Sequence, residues 1–382
     1  MSDSAVETKI DPKQFAMGGL VFFIMIISFL VIGQQKSSRH VAFGHEASYI
    51  TLIGFIISSI IYNVDGGEMR QHLKFDDNVL FYFCIPPIVF SSGYNMRRKR
   101  FFRNFRNIMI FGVFGTLVTY FIFAGLTLWI HSYDFMTMTS GLTGETKSLV
   151  LSAGEILLMC SLLCSTDVIA AISMVSYDEQ PTLFSLLFGE GIVNDAVAII
   201  LFNSVLKYTG EHSTLSAMTP FAILWDFINL GISSIMIGLV YGLIATAFFK
   251  NIRSLCRDAS VECLVIFCFG YMAYCTSELC SFSGIIALLT SGVVMAHYGW
   301  YSLSPQGKHG SYLVFQTLGG AMTAFIFSYL GITFFAYSDY WWSWELILVE
   351  IFIVLIGRYG GTMGLIYLLK LCGYNSGISF KQ

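Results

Sequence analysis

Long apolar runs alternate with short polar ones along the whole chain. Eleven runs approach the roughly twenty mainly apolar residues that a membrane-spanning helix needs. They are residues 14–33, 47–63, 76–93, 108–131, 149–174, 182–206, 221–249, 260–277, 282–297, 312–336 and 342–369. The ninth is short and fits a re-entrant or tilted helix. Connections are no longer than about sixteen residues, so no soluble domain is inserted. The first thirteen residues mix charges of both signs, and the run after them lacks a small-x-small cleavage site. It reads as a retained first span rather than a signal peptide. The pattern predicts an all-α polytopic membrane protein, with 1–382 forming a single transmembrane domain.

Composition agrees with the pattern. The 382 residues are 55% hydrophobic and 12% charged, against about 25% charged in a soluble domain. The net charge of −3 gives no basic excess for nucleic acid. Nine cysteines lie mostly inside apolar runs without metal-ligand spacing. They read as reduced core residues, with no disulfide framework.

Charge does set an orientation, because Lys and Arg collect in cytosolic loops. The strongest cluster is Arg97, Arg98, Lys99, Arg100, Arg103 and Arg106. With that loop in the cytosol, the cytosolic segments hold 14 of the 21 Lys and Arg residues. The opposite side holds 6, and Arg358 lies within a span. The N-terminus is then expected outside or lumenal and the C-terminal end in the cytosol. The cluster reads first as a topology anchor, with anionic lipid as a second role.

Ionisable residues at membrane depth are expensive and mark function by default. Asp167 sits in the fifth span within CSTDVIAAIS, and Asp195 is central to the sixth within LLFGEGIVNDAVAIILF. Glu190 lies five residues before Asp195, and Arg358 lies in the eleventh span. Glu155, Asp226, Glu278, Glu345 and Glu350 fall nearer span ends, within reach of an interface or vestibule. A mid-membrane carboxylate reached by water holds either a proton or a cation, and that competition suffices for exchange if the site faces each side in turn. Asn194 beside Asp195 adds a polar group without a second charge. Ser165, Thr166 and Asp167 suit a helix break, whose free carbonyls can coordinate a cation. Glu190 and Arg358 read as a structural ion pair that neutralises two buried charges together. No nucleotide loop, nucleophile–base arrangement or metal cluster points to an enzyme, and no cofactor is implied.

These same stretches carry a family resemblance. FYFCIPPIVFSSGYNMRRKRFFRNF (81–105), CSTDVIAA (164–171), SLLFGEGIVNDAVAIILF (185–202), SELCSFSGIIALLTSGVVMAHY (277–298), FSYLGITFF (327–335) and GRYGGTMGLIYLLK (357–370) resemble the eukaryotic sodium/proton exchangers of the NHE and NHX type. The resemblance implies an inverted-repeat antiporter fold of thirteen spans, with a dimerising scaffold and a mobile ion-carrying core. Residues 149–206 and 342–369 would supply core helices, and 14–131 and 221–336 a mixture of scaffold and core. By position, Asp195 would carry the ion and the proton, with Asn194 beside it. Thr166 and Asp167 would contribute at the helix break, and Glu190 with Arg358 would form the supporting pair. The implied partners are Na+ or K+ and H+, a second copy of the chain, and the bilayer of a eukaryotic endomembrane or plasma membrane, with the mitochondrial inner membrane also open.

Three departures qualify the resemblance. Val168 stands where the family has proline, so the helix break is less strongly forced. Thr323 stands where the family has a glutamate. The sequence ends at GISFKQ, before the family's last two spans and cytosolic tail. Two readings follow: a secondary antiporter exchanging protons for Na+ or K+, or a non-transporting or split exchanger-derived subunit working with additional membrane subunits.

Overall fold

The computed structural model describes residues 12–39, 46–64, 79–96, 98–141, 143–165, 180–209, 219–337, 340–371 and 373. Each of the eleven apolar runs contains a helix. In chain order these are α1 (Pro12–Arg39), α2 (Glu46–Val64), α3 (Val79–Tyr94), the short basic α4 (Arg98–Arg103), α5 (Phe105–His131), α6 (Ala153–Leu163) and α7 (Pro181–Leu206). There follow α8 (Thr219–Asn251), α9 (Ala259–Leu279), α10 (Gly284–Tyr298), α11 (Pro305–Thr333) and α12 (Trp344–Leu371). Among the described residues, six helices are both long and apolar enough to cross a membrane: α5, α7, α8, α9, α11 and α12. The rest are shorter apolar helices.

The chain divides into two compact units. The first takes residues 1–88 and 320–340. Its core is Met25 and Phe29 of α1, Ala47 and Ile50 of α2, and Ala324 and Ile332 of α11. Two glycines let α2 and α11 touch: a Cβ on Gly54 would stand 2.8 Å from the Cα of Gly331. With lipid as apolar as any core side chain, close backbone approach supplies much of the packing that holds such helices together.

The second unit takes residues 89–319 and 341–382 and contains two helix groups. In one, α8, α9 and α10 pack together. The stretch Gly238–Leu–Val–Tyr–Gly242 carries a glycine every fourth position. A Cβ on Gly242 would meet Val294 at 2.7 Å, and one on Gly238 would run into the Ala287 carbonyl. In the other, α12 packs on α5, and α7 packs on α5 and α6. Tyr120, Phe123, Ile156, Cys160, Val197, Leu201 and Ile353 are buried between them.

A small antiparallel sheet ties the ends of this second group. Its strands are β1 (Thr137–Ser140), β2 (Thr146–Ser148) and β3 (Trp341–Trp342), in the order β2-β1-β3. Met138 faces Lys147, and Thr139 faces both Thr146 and Trp342. Gly144 makes the hairpin with φ +70°, a conformation that costs glycine nothing. Lys147 stacks over the Trp341 ring at 4.8 Å, and Glu345 at the start of α12 accepts from the Thr137 hydroxyl at 3.0 Å.

Candidate functional site

Besides a π-helical stretch at Val79–Cys84 in α3, local structure departs from the regular α-helix at two places on either side of α7. The first is in α5, where Ile110–Gly115 is wound as a π-helix. Such wide turns are rare and cluster at functional sites. Glycine brings this turn close to α7, since a Cβ on Gly112 would lie 2.7 Å from Val193. One turn away on α7, a Cβ on Gly189 would collide with Ile108. The second departure is the end of α6. Its eleven residues cover about 16 Å, half of a hydrocarbon core of about 30 Å. The helix ends at Leu163, and Ser165 is already non-helical.

Asn194 and Asp195 sit on α7 between these two irregular points. Successive residues on a helix face different directions, and the pair divides accordingly. Asn194 is fully buried and Asp195 is exposed. The Thr116 hydroxyl, one residue past the π-turn, lies 2.8 Å from the Asn194 Oδ1 and 2.5 Å from the Gly112 carbonyl. Its single proton serves one acceptor at full strength. The Asn194 Nδ2 is buried without a partner. Turning the amide over resolves both points, because amide orientation follows the hydrogen-bond network. Nδ2 would donate to Thr116, Thr116 would donate to Gly112, and the amide carbonyl would take the unpartnered position. On the other side, the Ser165 hydroxyl donates a short hydrogen bond to Asp195 Oδ1.

The structure therefore brings Asn194, Asp195, Thr116 and Ser165 together. Thr166 and Asp167 lie outside the described residues, directly after Ser165. Glu190 is within electrostatic range of both Arg358 and Asp195. Arg358, half-buried on α12, is also within electrostatic range of Cys164 at the end of α6. Glu190 and Arg358 do not close to a direct salt bridge within 4.0 Å among the described residues. Arg358 is set by its helix: on either side of it along the same face, Gly357 abuts Phe123 and Gly361 would place a Cβ 2.9 Å from Thr119.

The acidic residues nearer the span ends have structural partners. Glu155 closes a capping box with Ser152, accepting the Ser152 N–H at 2.7 Å. Asp226 pairs with Lys207 at 3.5 Å and accepts from Tyr208 at 3.0 Å. Glu278 accepts the Gly284 N–H at 2.9 Å, at the start of α10. Glu350 is a correction: expected within reach of an interface or vestibule, it is 7% exposed, its Oε1 accepting from the Thr127 hydroxyl. Sequence reasoning also missed Thr116 and Glu262. Glu262 is fully buried and accepts from the Ser304 N–H and hydroxyl at 2.9 and 2.8 Å, capping α11. The Ser304-Pro305 step, a helix-start signal, was the clue available for that cap.

A cavity of about 310 Å³ opens at the first turns of α7. It is lined by Ser91, Asn95, Phe101, Ser185, Phe188 and Tyr312, and the Oδ1 of Asn95 is buried without a partner. Close by in sequence, the basic segment alternates exposed cations with rings: Lys99, Phe102, Arg103, Phe105 and Arg106 are all exposed. Arg97 and the side chains of Arg98 and Arg100 lie outside the described residues. No group of three His, Cys, Asp or Glu side chains among the described residues is placed to hold a metal ion.

Comparison with known proteins gives the constellation a family. The chain is 31% identical to sodium/hydrogen exchanger 4 of Arabidopsis thaliana over 312 residues, 81% of this chain and 56% of that protein. It is 29% identical over 351 residues to an uncharacterised Na(+)/H(+) antiporter of Schizosaccharomyces pombe, 92% of this chain and 59% of that protein. It is 28% identical over 368 residues to sodium/hydrogen exchanger 8 of Rattus norvegicus, 94% of this chain and 61% of that protein. The chain thus spans little more than half the length of these relatives. The family model described as "Sodium/hydrogen exchanger, transmembrane" matches residues 20–381. This multi-pass membrane chain belongs to the sodium/hydrogen exchanger family.

Proposed function

We propose that this chain carries out proton-coupled antiport of Na+ or K+ by alternating access, with Asp195 as the group that binds the cation and the proton in turn. The observation that carries the reading is the position of Asp195. It is an exposed carboxylate at the centre of a spanning helix, next to the end of a helix that stops halfway. A charged carboxylate at that depth is costly, and binding a cation or taking up a proton relieves the cost. The two ligands compete for one site, and that competition couples their movements.

The surrounding groups have distinct tasks. Asn194, held by Thr116, offers an amide carbonyl to the cation without adding charge. Ser165 offers its hydroxyl oxygen once the cation replaces the proton it now shares with Asp195. Thr166 and Asp167, following Ser165 in the chain, extend the site at the helix break. Glu190 and Arg358 act as a through-space pair that holds the local potential near neutral, so that Asp195 carries the charge that changes. The cavity at the start of α7 supplies the approach from the side that the Lys and Arg distribution assigns to the cytosol. The exposed basic segment beside it suits anionic lipid, and the family's homodimer is the assembly we expect.

The test is flux in proteoliposomes. An imposed Na+ or K+ gradient drives proton movement in the wild-type chain, and the same gradient moves none in Asp195→Asn. An undiminished rate in Asp195→Asn sinks the assignment of Asp195. A wild-type chain that moves no protons alone, but does so with a co-purifying membrane subunit, favours the split-exchanger reading. Running the assay with Na+ and K+ separately decides the cation.

A further inference from the structure

Glu350 has no role in the antiport scheme, and its surroundings are unusual for a carboxyl group. It lies on α12 at 7% exposure. Its Oε1 accepts from the Thr127 hydroxyl of α5 at 2.9 Å, and its Oε2 is buried without a partner. The Thr127 hydroxyl has one further neighbour, the Cys160 thiol of α6 at 3.8 Å. Around these three groups the helices contribute apolar side chains: Phe123 from α5, Ile156 from α6 and Ile353 from α12. No Lys, Arg or His lies within 4.0 Å of the carboxyl among the described residues. Arg358 is eight residues further along α12, about 12 Å along the axis, where it faces Glu190 and Cys164.

A carboxylate in such a place would be a bare negative charge. It would have one hydroxyl donor, no counter-ion and one oxygen with nothing to accept from. The neutral acid fits the same atoms. Its O–H on Oε1 shares the contact with Thr127, since hydroxyl and acid can exchange donor and acceptor roles. Oε2 then becomes a carbonyl oxygen, the polar atom that protein interiors most often leave under-satisfied. Every group facing it is neutral: the Thr127 hydroxyl on α5, the Cys160 thiol on α6, and apolar side chains on α12 itself.

We propose that Glu350 is a second proton-binding site in the membrane, separate from Asp195, loaded at neutral pH and retained rather than exchanged. Retention follows from the apolar cluster around it, which offers neither a polar path nor a cation site. The bound proton replaces a counter-ion and lets α12 hydrogen-bond to α5 without a buried charge.

Infrared difference spectroscopy on the full chain in lipid reads this directly. At neutral pH, wild type and Asp195→Asn both show the C=O stretch of a protonated carboxyl, and Glu350→Gln loses it. Identical wild-type and Glu350→Gln spectra in that region overturn the proposal. A band that vanishes on adding Na+ in Asp195→Asn overturns the claim of retention. Thr127→Val supplies a second variant with the acid intact. Loss of its hydrogen bond shifts the same band to higher frequency, and an unmoved band counts against the assignment. None of these readouts uses flux, so they stand or fall separately from the antiport reading.

Discussion

The two helix groups of the second unit treat polar residues in opposite ways. In α8, α9 and α10 the carboxylates work as clips. Buried Glu262 holds the Ser304 N–H ahead of α11, and exposed Glu278 holds the Gly284 N–H at the start of α10. Ser234 accepts the Ser283 N–H at 2.9 Å and donates to the Leu230 carbonyl at 2.7 Å. Tyr241 bonds Thr276 at 2.8 Å. The Ser277 hydroxyl is the exception, buried without a partner. In α5, α6, α7 and α12 two buried polar groups are placed but left open. Asn194 keeps an unpaired amide group and Glu350 an unpaired oxygen, while Asp195, exposed, accepts from Ser165 just past the end of α6. A membrane protein spends polar satisfaction where it needs a frame and withholds it where something must bind.

Substitutions sharpen that contrast, beginning with the largest effect. Asp195→Asn removes the charge that the proposed antiport exchanges, and gradient-driven proton flux is expected to fall to the level of empty liposomes. If flux survives, the open group is not the carrier. Gly242→Val strikes the closed group, where the added side chain meets Val294. Overpacking of this kind costs about 1–3 kcal/mol. It appears as a lower melting temperature in detergent, with flux per folded molecule close to wild type. A Gly242→Val chain that melts normally but transports poorly would erase the distinction between frame and carrier.

Thr116→Val is expected to be milder. It removes one hydrogen-bond partner from Asn194 and keeps the side-chain shape, a change of about 1–2 kcal/mol. The half-saturating cation concentration rises about tenfold, and the melting temperature falls less than in Gly242→Val. Glu262→Gln has the smallest effect. The amide oxygen still accepts from the Ser304 N–H and its NH2 can donate to the Ser304 hydroxyl, so the main loss is the charge at the α11 terminus, worth about 0.3–1 kcal/mol. Glu262→Ala loses the cap as well and melts lower than Glu262→Gln. Equal melting of the two would mean that the clip contributes little.

Some of this was readable along the chain and some was not. All eleven apolar runs hold a helix, because about twenty apolar residues in lipid have few alternatives. The Asn194-Asp195 pair stood out because charge is scarce in such a run. The end of α6 at Leu163 falls just before Ser165, Thr166 and Asp167, side chains that compete for backbone hydrogen bonds, and the break expected at Thr166 and Asp167 lies outside the described residues. The π-turn over Ile110–Gly115 was not legible. Its residues are as apolar as their neighbours, and Thr116 reads as an ordinary transmembrane threonine. Nor was the burial of Glu350. When lipid and core are equally apolar, periodicity does not say which face of a helix turns inward. Position along the run placed Glu350 near an end, while packing against Thr127 and Cys160 enclosed it. The division into two units was equally hidden, since the boundary at residue 319/320 falls inside the uninterrupted helix α11.

The three-stranded sheet has a mechanical consequence. The strand β1 follows α5, β2 precedes α6, and β3 precedes α12. Their pairing buckles one end of three helices into a common hydrogen-bonded plate, with Glu345 and Lys147 fastening its edges. To separate any one helix from the other two at that end, strand pairs must break. Those helices are therefore hinged like slats on a shared rail. Displacing one at that end strains the strand pairs that hold the other two, and no such pairing ties the far end, where α6 ends beside Asp195 among the described residues.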